Sequence, residues 1–121
     1  MVENLSIGGP GHLLWPEFEV ENQDWHIHKN RFSAFINGSS DLEKRLKEAE
    51  IDTVIITGTL TDVCCESSAR DAMMCNFKTI MITDANAAAC DDDHNNALNA
   101  VARLFADVLS SDEMISRLHE K

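Results

Sequence analysis

Thr53-Val54-Ile55-Ile56-Thr57-Gly58-Thr59-Leu60-Thr61-Asp62-Val63-Cys64-Cys65 is the stretch that decides how this chain folds. Thr53 to Gly58 is a β-branched apolar run, with the character of a strand buried on both faces in a parallel sheet. A helical pattern follows from Thr61 or Asp62 to Cys75, with Cys65, Ala69, Ala72 and Met73 on its inward stripe. The segment between them joins the end of a strand to the start of a helix. In open α/β sheets, sites form at the carboxyl ends of strands. A thiol in a helix's first turn faces unpartnered backbone N–H groups and the positive end of the dipole, and both favour thiolate. The same N–H groups can hold a developing oxyanion. Cys64 is therefore the candidate nucleophile. The alternative is a structural cysteine that serves as a small apolar side chain.

Working outward, Thr79-Ile80-Met81-Ile82-Thr83 is a second buried strand, followed by a small-residue loop over 85–90. Asp91-Asp92-Asp93 suits a helix N-terminus. That helix is expected to run to about Ala106, with Leu98, Val101, Ala102 and Phe105 facing inward. Asp107-Val108-Leu109 is a short strand. Ser110 with Glu113 forms a capping box for a last helix, to Leu118. Upstream, Ser40 with Glu43 forms another capping box for a helix to about Ala49, with Leu42, Leu46 and Ala49 on its apolar face. Asp24 to Lys29 alternates Trp25 and Ile27 with His26 and His28, a short strand pattern. Residues 1–23, which hold both prolines, form an extended lead-in with a turn near Pro16. Strand and helix alternate throughout. The fold class is α/β, a mostly parallel sheet with helices on both faces.

The 121 residues fit one small domain. A net charge of −11 repels nucleic acid and anionic membrane, so neither is expected as a partner. No apolar run reaches the length of a membrane span, and Met1-Val2-Glu3-Asn4-Leu5 does not resemble a signal peptide, so a cytoplasmic location is expected. The four cysteines, at 64, 65, 75 and 90, contain no C-x-x-C spacing. Zinc and thioredoxin-like readings are weak on that ground. Cys65, Cys75 and Cys90 read as structural.

A nucleophilic cysteine needs a base or a cation beside it. Lys29 ends the first strand pattern, so it too can reach the carboxyl edge of the sheet. An ammonium near a thiol lowers the thiol pKa. His26 and His28 read as the polar face of a strand rather than as half of a Cys/His dyad. Asp91-Asp92-Asp93-His94 reads as a solvated helix start rather than a metal site.

The segment Gly58-Thr59-Leu60-Thr61-Asp62-Val63-Cys64-Cys65-Glu66-Ser67-Ser68-Ala69-Arg70-Asp71-Ala72 resembles the nucleophile segment of the isochorismatase-like cysteine hydrolases. That group includes N-carbamoylsarcosine and ureidoacrylate amidohydrolases, nicotinamidases and isochorismatase. The resemblance extends to Asp24, to Lys29 with Arg31-Phe32-Ser33-Ala34-Phe35, to Asp84-Ala85, to His94-Asn95-Asn96-Ala97-Leu98 and to Ser111-Asp112-Glu113. It implies a Rossmann-like three-layer fold, with residues 1–121 as a single partial domain that lacks the first two strands. Cys64 matches the nucleophile and Lys29 the catalytic lysine. The Thr59–Leu60 peptide matches a cis bond that directs the N–H of Leu60, with that of Cys64, into an oxyanion hole. The implied reaction is thiolate attack on a small amide or ureido carbonyl, through a thioester, with no cofactor and no metal.

The family's catalytic Asp has no match in this chain. The two strands that would separate the Lys29 segment from the strand before Cys64 are also unmatched, so Lys29 need not approach Cys64. Two readings follow: an impaired hydrolase, or a non-catalytic remnant that serves as an oligomerisation module. A thiol-redox or metal protein using Cys64 and Cys65 is a third, disfavoured because adjacent cysteines on one helical turn do not make a relaxed disulfide. Uncovered sheet edges and helix faces make a homo-oligomer the expected assembly.

Overall fold

Thr53–Thr59 forms β1, and its parallel pairing with β2 (Lys78–Ala87) organises everything else. The structure is a computed structural model that describes residues 6–120. Ahead of β1 lies α1 (Leu42–Glu48). After it come a π-helical turn (Thr61–Cys65) and α2 (Glu66–Met74). β2 leads to α3 (Asp91–Ala102), then β3 (Asp107–Leu109) and α4 (Ser111–His119). The described residues form a three-stranded parallel sheet in the order β1-β2-β3, which leaves β1 at an edge. This is the expected parallel α/β architecture.

The main core lies where α2 and α3 meet the sheet. Cys65, Ala69, Met81, Leu98 and Val101 are buried together, with Ile56, Phe105 and Val108 packed against them. Ala69 has no exposed surface, so a larger side chain there would overpack the core. A second cluster joins Phe35, Leu46, Ala72 and Phe77. The Phe35 and Phe77 rings meet at 5.6 Å and 56°, a tilted contact that favours the ring quadrupoles. Phe35 thereby anchors the loop before α1 to the end of α2.

Several expectations are corrected. Residues 24–29 form no strand, because among the described residues no strand lies beside them to take up their backbone hydrogen bonds. The turn near Pro16 is present, with Phe18 N–H donating to Trp15 O. β1 is not buried on both faces: as an edge strand it is half-exposed, and Ile55 keeps 42% of its surface. β2 runs past Thr83 to Ala87, into the loop expected over 85–90. Its register to β1 jumps from Ile56↔Met81 to Gly58↔Asn86, and the Asn86 amide donates across the break to Ile56 O and Ile82 O. α1 begins at Leu42 and has no capping box. The Ser40 hydroxyl donates to Ala34 O at 2.7 Å and accepts from Leu42 N–H instead. Ala49 is exposed. α3 stops at Ala102, because the N–H groups of Leu104, Phe105 and Ala106 all fold back onto Val101 O.

The capping box of α4 is complete: Ser110 accepts from Glu113 N–H, and the Glu113 carboxylate accepts from Ser110 N–H at 2.8 Å. Asp84 adds a second anchor by accepting from Ser111 N–H and hydroxyl. These donors hold the Asp84 and Glu113 carboxyls below their ordinary range. Carboxylates lowered in the fold stabilise it above their unfolded values near 4 and lose that contribution as pH falls. Ser110→Ala is expected to cost about 0.5–2 kcal/mol in urea unfolding at pH 7. The deficit should shrink as the pH is taken below about 4, where Glu113 gives up its own half of the box.

Candidate active site

Cys64 sits at the strand-to-helix junction after β1, inside the π turn Thr61–Cys65. Gly58 reaches this junction with φ at +123°, a conformation that side chains disfavour. A Cβ on Gly58 would also lie 4.0 Å from Cys65 Sγ. The Thr59–Leu60 peptide is cis, as the resemblance implied. In a π turn the N–H of residue i bonds residue i−5, and the closing bond here is Cys65 N–H to Leu60 O at 3.1 Å. The N–H of Cys64 precedes that bond, so the turn itself offers it no acceptor.

Lys29 arrives from outside the sheet. Its ammonium donates to Arg31 O at 2.9 Å and lies 3.8 Å from Cys64 Sγ. The approach that the unmatched strands left open is made. A network of serines braces the loop that carries Lys29. Ala34 N–H donates to Ser68 Oγ on α2, Ser39 donates to Ser33 O, and Ser33 Oγ caps Phe35 N–H. With Phe35 buried, these bonds fix the loop to α2, the helix that follows the π turn of Cys64. Among the described residues, no carboxylate pairs with Lys29.

The two adjacent cysteines differ in environment. Cys64 is half-buried and faces a cleft of about 570 Å³ along the edge of β1, shared with Lys29, Thr57, Thr59 and Ser68. Cys65 is buried in the core. Burial, then the negative potential of Cys64 and Asp62, pushes its thiol up to about 11 against the pull of Lys29. Leu60 is 40% exposed beside this junction. His26 and His28 do not approach the thiol by hydrogen bond. They line a second cleft of about 850 Å³ with Lys29 and Trp25, where the His28 ring stacks on His12. No group of three or more His, Cys, Asp or Glu among the described residues could hold a metal ion. No described helix is long and apolar enough to cross a membrane.

One contact had no signal in the sequence. His94, in the first turn of α3, meets Thr61 with Nδ1 2.8 Å from Oγ1. Reading His94 as part of a solvated acidic helix start misses this, because only the packing of α3 on the π turn brings the two together.

A parallel α/β sheet that presents a thiol at a strand-to-helix turn, with a lysine beside it, defines a class of site found in hydrolytic enzymes. The isochorismatase domain profile matches residues 1–113, and the chain belongs to the isochorismatase family. It is 34% identical over 97 residues to the uncharacterized isochorismatase family protein YecD of Escherichia coli O157:H7, covering 80% of this chain and 50% of that protein. It is 35% identical over 81 residues to the ureidoacrylate amidohydrolase RutB of Variovorax paradoxus, covering 67% of this chain and 31% of that one. Its fold superposes on the crystal structure of a cysteine hydrolase from Pseudomonas syringae pv. phaseolicola with a TM-score of 0.87 and 28% identity, over 95% of this chain and 60% of that one. The chain thus spans about half the length of the curated relatives it matches.

The contrast between the two thiols gives a direct test. Iodoacetamide at pH 8, followed by peptide mapping, is expected to label Cys64 and leave Cys65 unmodified in the folded protein. A thiol kept neutral by burial stabilises the fold below about 9 and loses that contribution as the pH climbs towards about 11. The melting temperature should therefore fall between pH 9 and 11, and Cys65→Ala should flatten that slope.

Proposed function

We propose that this chain carries the nucleophile and the cation of a cysteine hydrolase acting on small amide or ureido compounds. The observation that supports the reading is the 3.8 Å approach of the Lys29 ammonium to Cys64 Sγ at the mouth of a cleft. An ammonium at that distance stabilises negative charge that develops in the transition state. The relative named as a ureidoacrylate amidohydrolase supports the C–N substrate class.

In the proposed reaction, the Cys64 thiolate attacks the substrate carbonyl carbon. The oxygen becomes an oxyanion that accepts from the N–H groups of Leu60 and Cys64. The C–N bond then breaks. The leaving nitrogen takes a proton, for which the Lys29 ammonium is the donor beside Sγ, and departs as ammonia or an amine. Water attacks the thioester, releases the acid and returns the thiol. The family's third group, an Asp, has no counterpart here. Among the described residues no carboxylate pairs with Lys29 to activate the attacking water, so hydrolysis is the slow half of the reaction and the thioester persists.

The test is intact-mass analysis after incubation with nicotinamide and with N-carbamoyl amino acids, alongside ammonia release. An acyl adduct on Cys64 with little turnover is expected. Cys64→Ser should form no adduct, and Lys29→Met should slow its formation by about 10²-fold. Absence of any adduct across the panel, with Cys64 no more reactive than a free thiol, would sink the reading.

The homo-oligomer expectation draws support from β1 itself. Its seven residues carry no charge, and its outer edge has no partner strand among the described residues. Edges of that kind invite pairing. Sedimentation velocity at micromolar concentration should give a dimer or larger species, and a stable monomer would overturn this part of the proposal.

A further inference from the structure

The π turn that presents Cys64 lacks a cap of its own. Leu60 occupies its N-cap position and makes no side-chain capping bond. Asp62, the turn's second residue, leaves its buried Oδ1 without a partner. What ties the start of the turn to the rest of the protein through a side chain is Thr61. Its side chain is fully buried, and its hydroxyl meets His94 Nδ1 on α3 at 2.8 Å. His94 is itself fixed at the helix start, where its backbone N–H donates to Cys90 O at 3.1 Å. Thr61 precedes Cys64 by three residues, within one turn, so a rotation of the turn about Thr61 moves both the sulfur and the Cys64 N–H.

We infer that Thr61 and His94 form a positioning pair: their hydrogen bond sets the rotation of the π turn that points Cys64 Sγ at Lys29. This rests on Cys64 being the reacting thiol. Neither residue touches the sulfur by hydrogen bond, and neither is a catalytic residue. An isolated five-residue π turn has few bonds to hold it, since helical turns of this kind are stable only in tertiary context. The pair supplies that context from one side, as the burial of Cys65 in the main core does from the other. A misplacement of about 1 Å at a reacting group costs up to 10²-fold in rate, so a modest turn rotation is measurable.

The test uses the rate of Cys64 alkylation by iodoacetamide across pH, read by peptide mapping, together with the melting temperature. Thr61→Val keeps the shape and removes the hydroxyl. It is expected to slow Cys64 alkylation about tenfold at pH 7.5 and to displace the pH–rate profile upward relative to the parent. Thr61→Ser restores the hydroxyl and should return the rate to within about twofold of the parent. His94→Leu, on the half-buried side of the pair, should reproduce the Thr61→Val profile and serves if that variant does not fold. A Thr61→Val or His94→Leu protein that melts lower but keeps the parent profile would show a purely structural bond and overturn the inference. So would Thr61→Ser behaving like Thr61→Val. The parent and Cys64→Ser proteins, assayed for acyl adducts in parallel, separate this outcome from the hydrolase reading: a shifted profile without any adduct keeps the positioning pair and removes the proposed reaction.

Discussion

Asn86 holds β1 and β2 together at the point where their register breaks. Its amide donates to Ile56 O at 3.0 Å and to Ile82 O at 2.6 Å, one acceptor on each strand. Without those bonds, the carbonyls at the break would lose partners that the ladder does not supply. The break has a geometric result. It bends β1 at Gly58, and β1 then delivers the Thr59–Leu60 peptide and the π turn to the carboxyl end of the sheet. The placement of Cys64 follows from a side-chain amide on the neighbouring strand.

The other half of the site depends on a different part of the core. Lys29 stands on a loop with no regular secondary structure, yet it reaches the thiol. Buried Phe35, packed on Phe77, sets the position of that loop, and Ser68 sets its distance from α2. The cation and the nucleophile are thus referenced to one helix from its two sides. Arg70, on the same helix, pairs with Glu66 and covers the Phe105 ring at 4.3 Å. That contact closes the outer side of the main core.

What could be read from residues alone tracks how local each cause is. The β-branched runs 53–58 and 79–83 announce strands, because burial and side-chain shape act within the run itself. The Ser110–Glu113 box is legible because both partners lie three residues apart. Ser40 and Glu43 carry the same signature and fail it, because the helix takes Asp41 as its N-cap and the Ser40 hydroxyl accepts from Leu42 N–H instead. The alternation at 24–29 marks two faces, but a strand also needs a neighbour, which sequence spacing does not reveal. Asp84 to Ala87 has poor strand propensity, and its pairing comes from the Asn86 amide. At the site, Cys64 was legible as a residue at a strand-to-helix junction. Lys29 was identified by family resemblance, and its approach depends on a tie 34 residues long. The contact between Thr61 and His94, 33 residues apart, gave no local sign.

The attachment of α4 has a consequence for how the molecule opens. None of its residues is buried, and its N-terminal bonds run to Asp84 and within its own capping box. A helix held chiefly at one end, by polar contacts in solvent, contributes little to the cooperative unit formed by β1, β2, α2 and α3. Its amide protons should exchange through a local detachment far less costly than global unfolding, while those of Met81 and its neighbours wait for the whole sheet to open. The C-terminal helix and the reactive turn thus belong to separate opening events, and loss of the first leaves the thiol where it is.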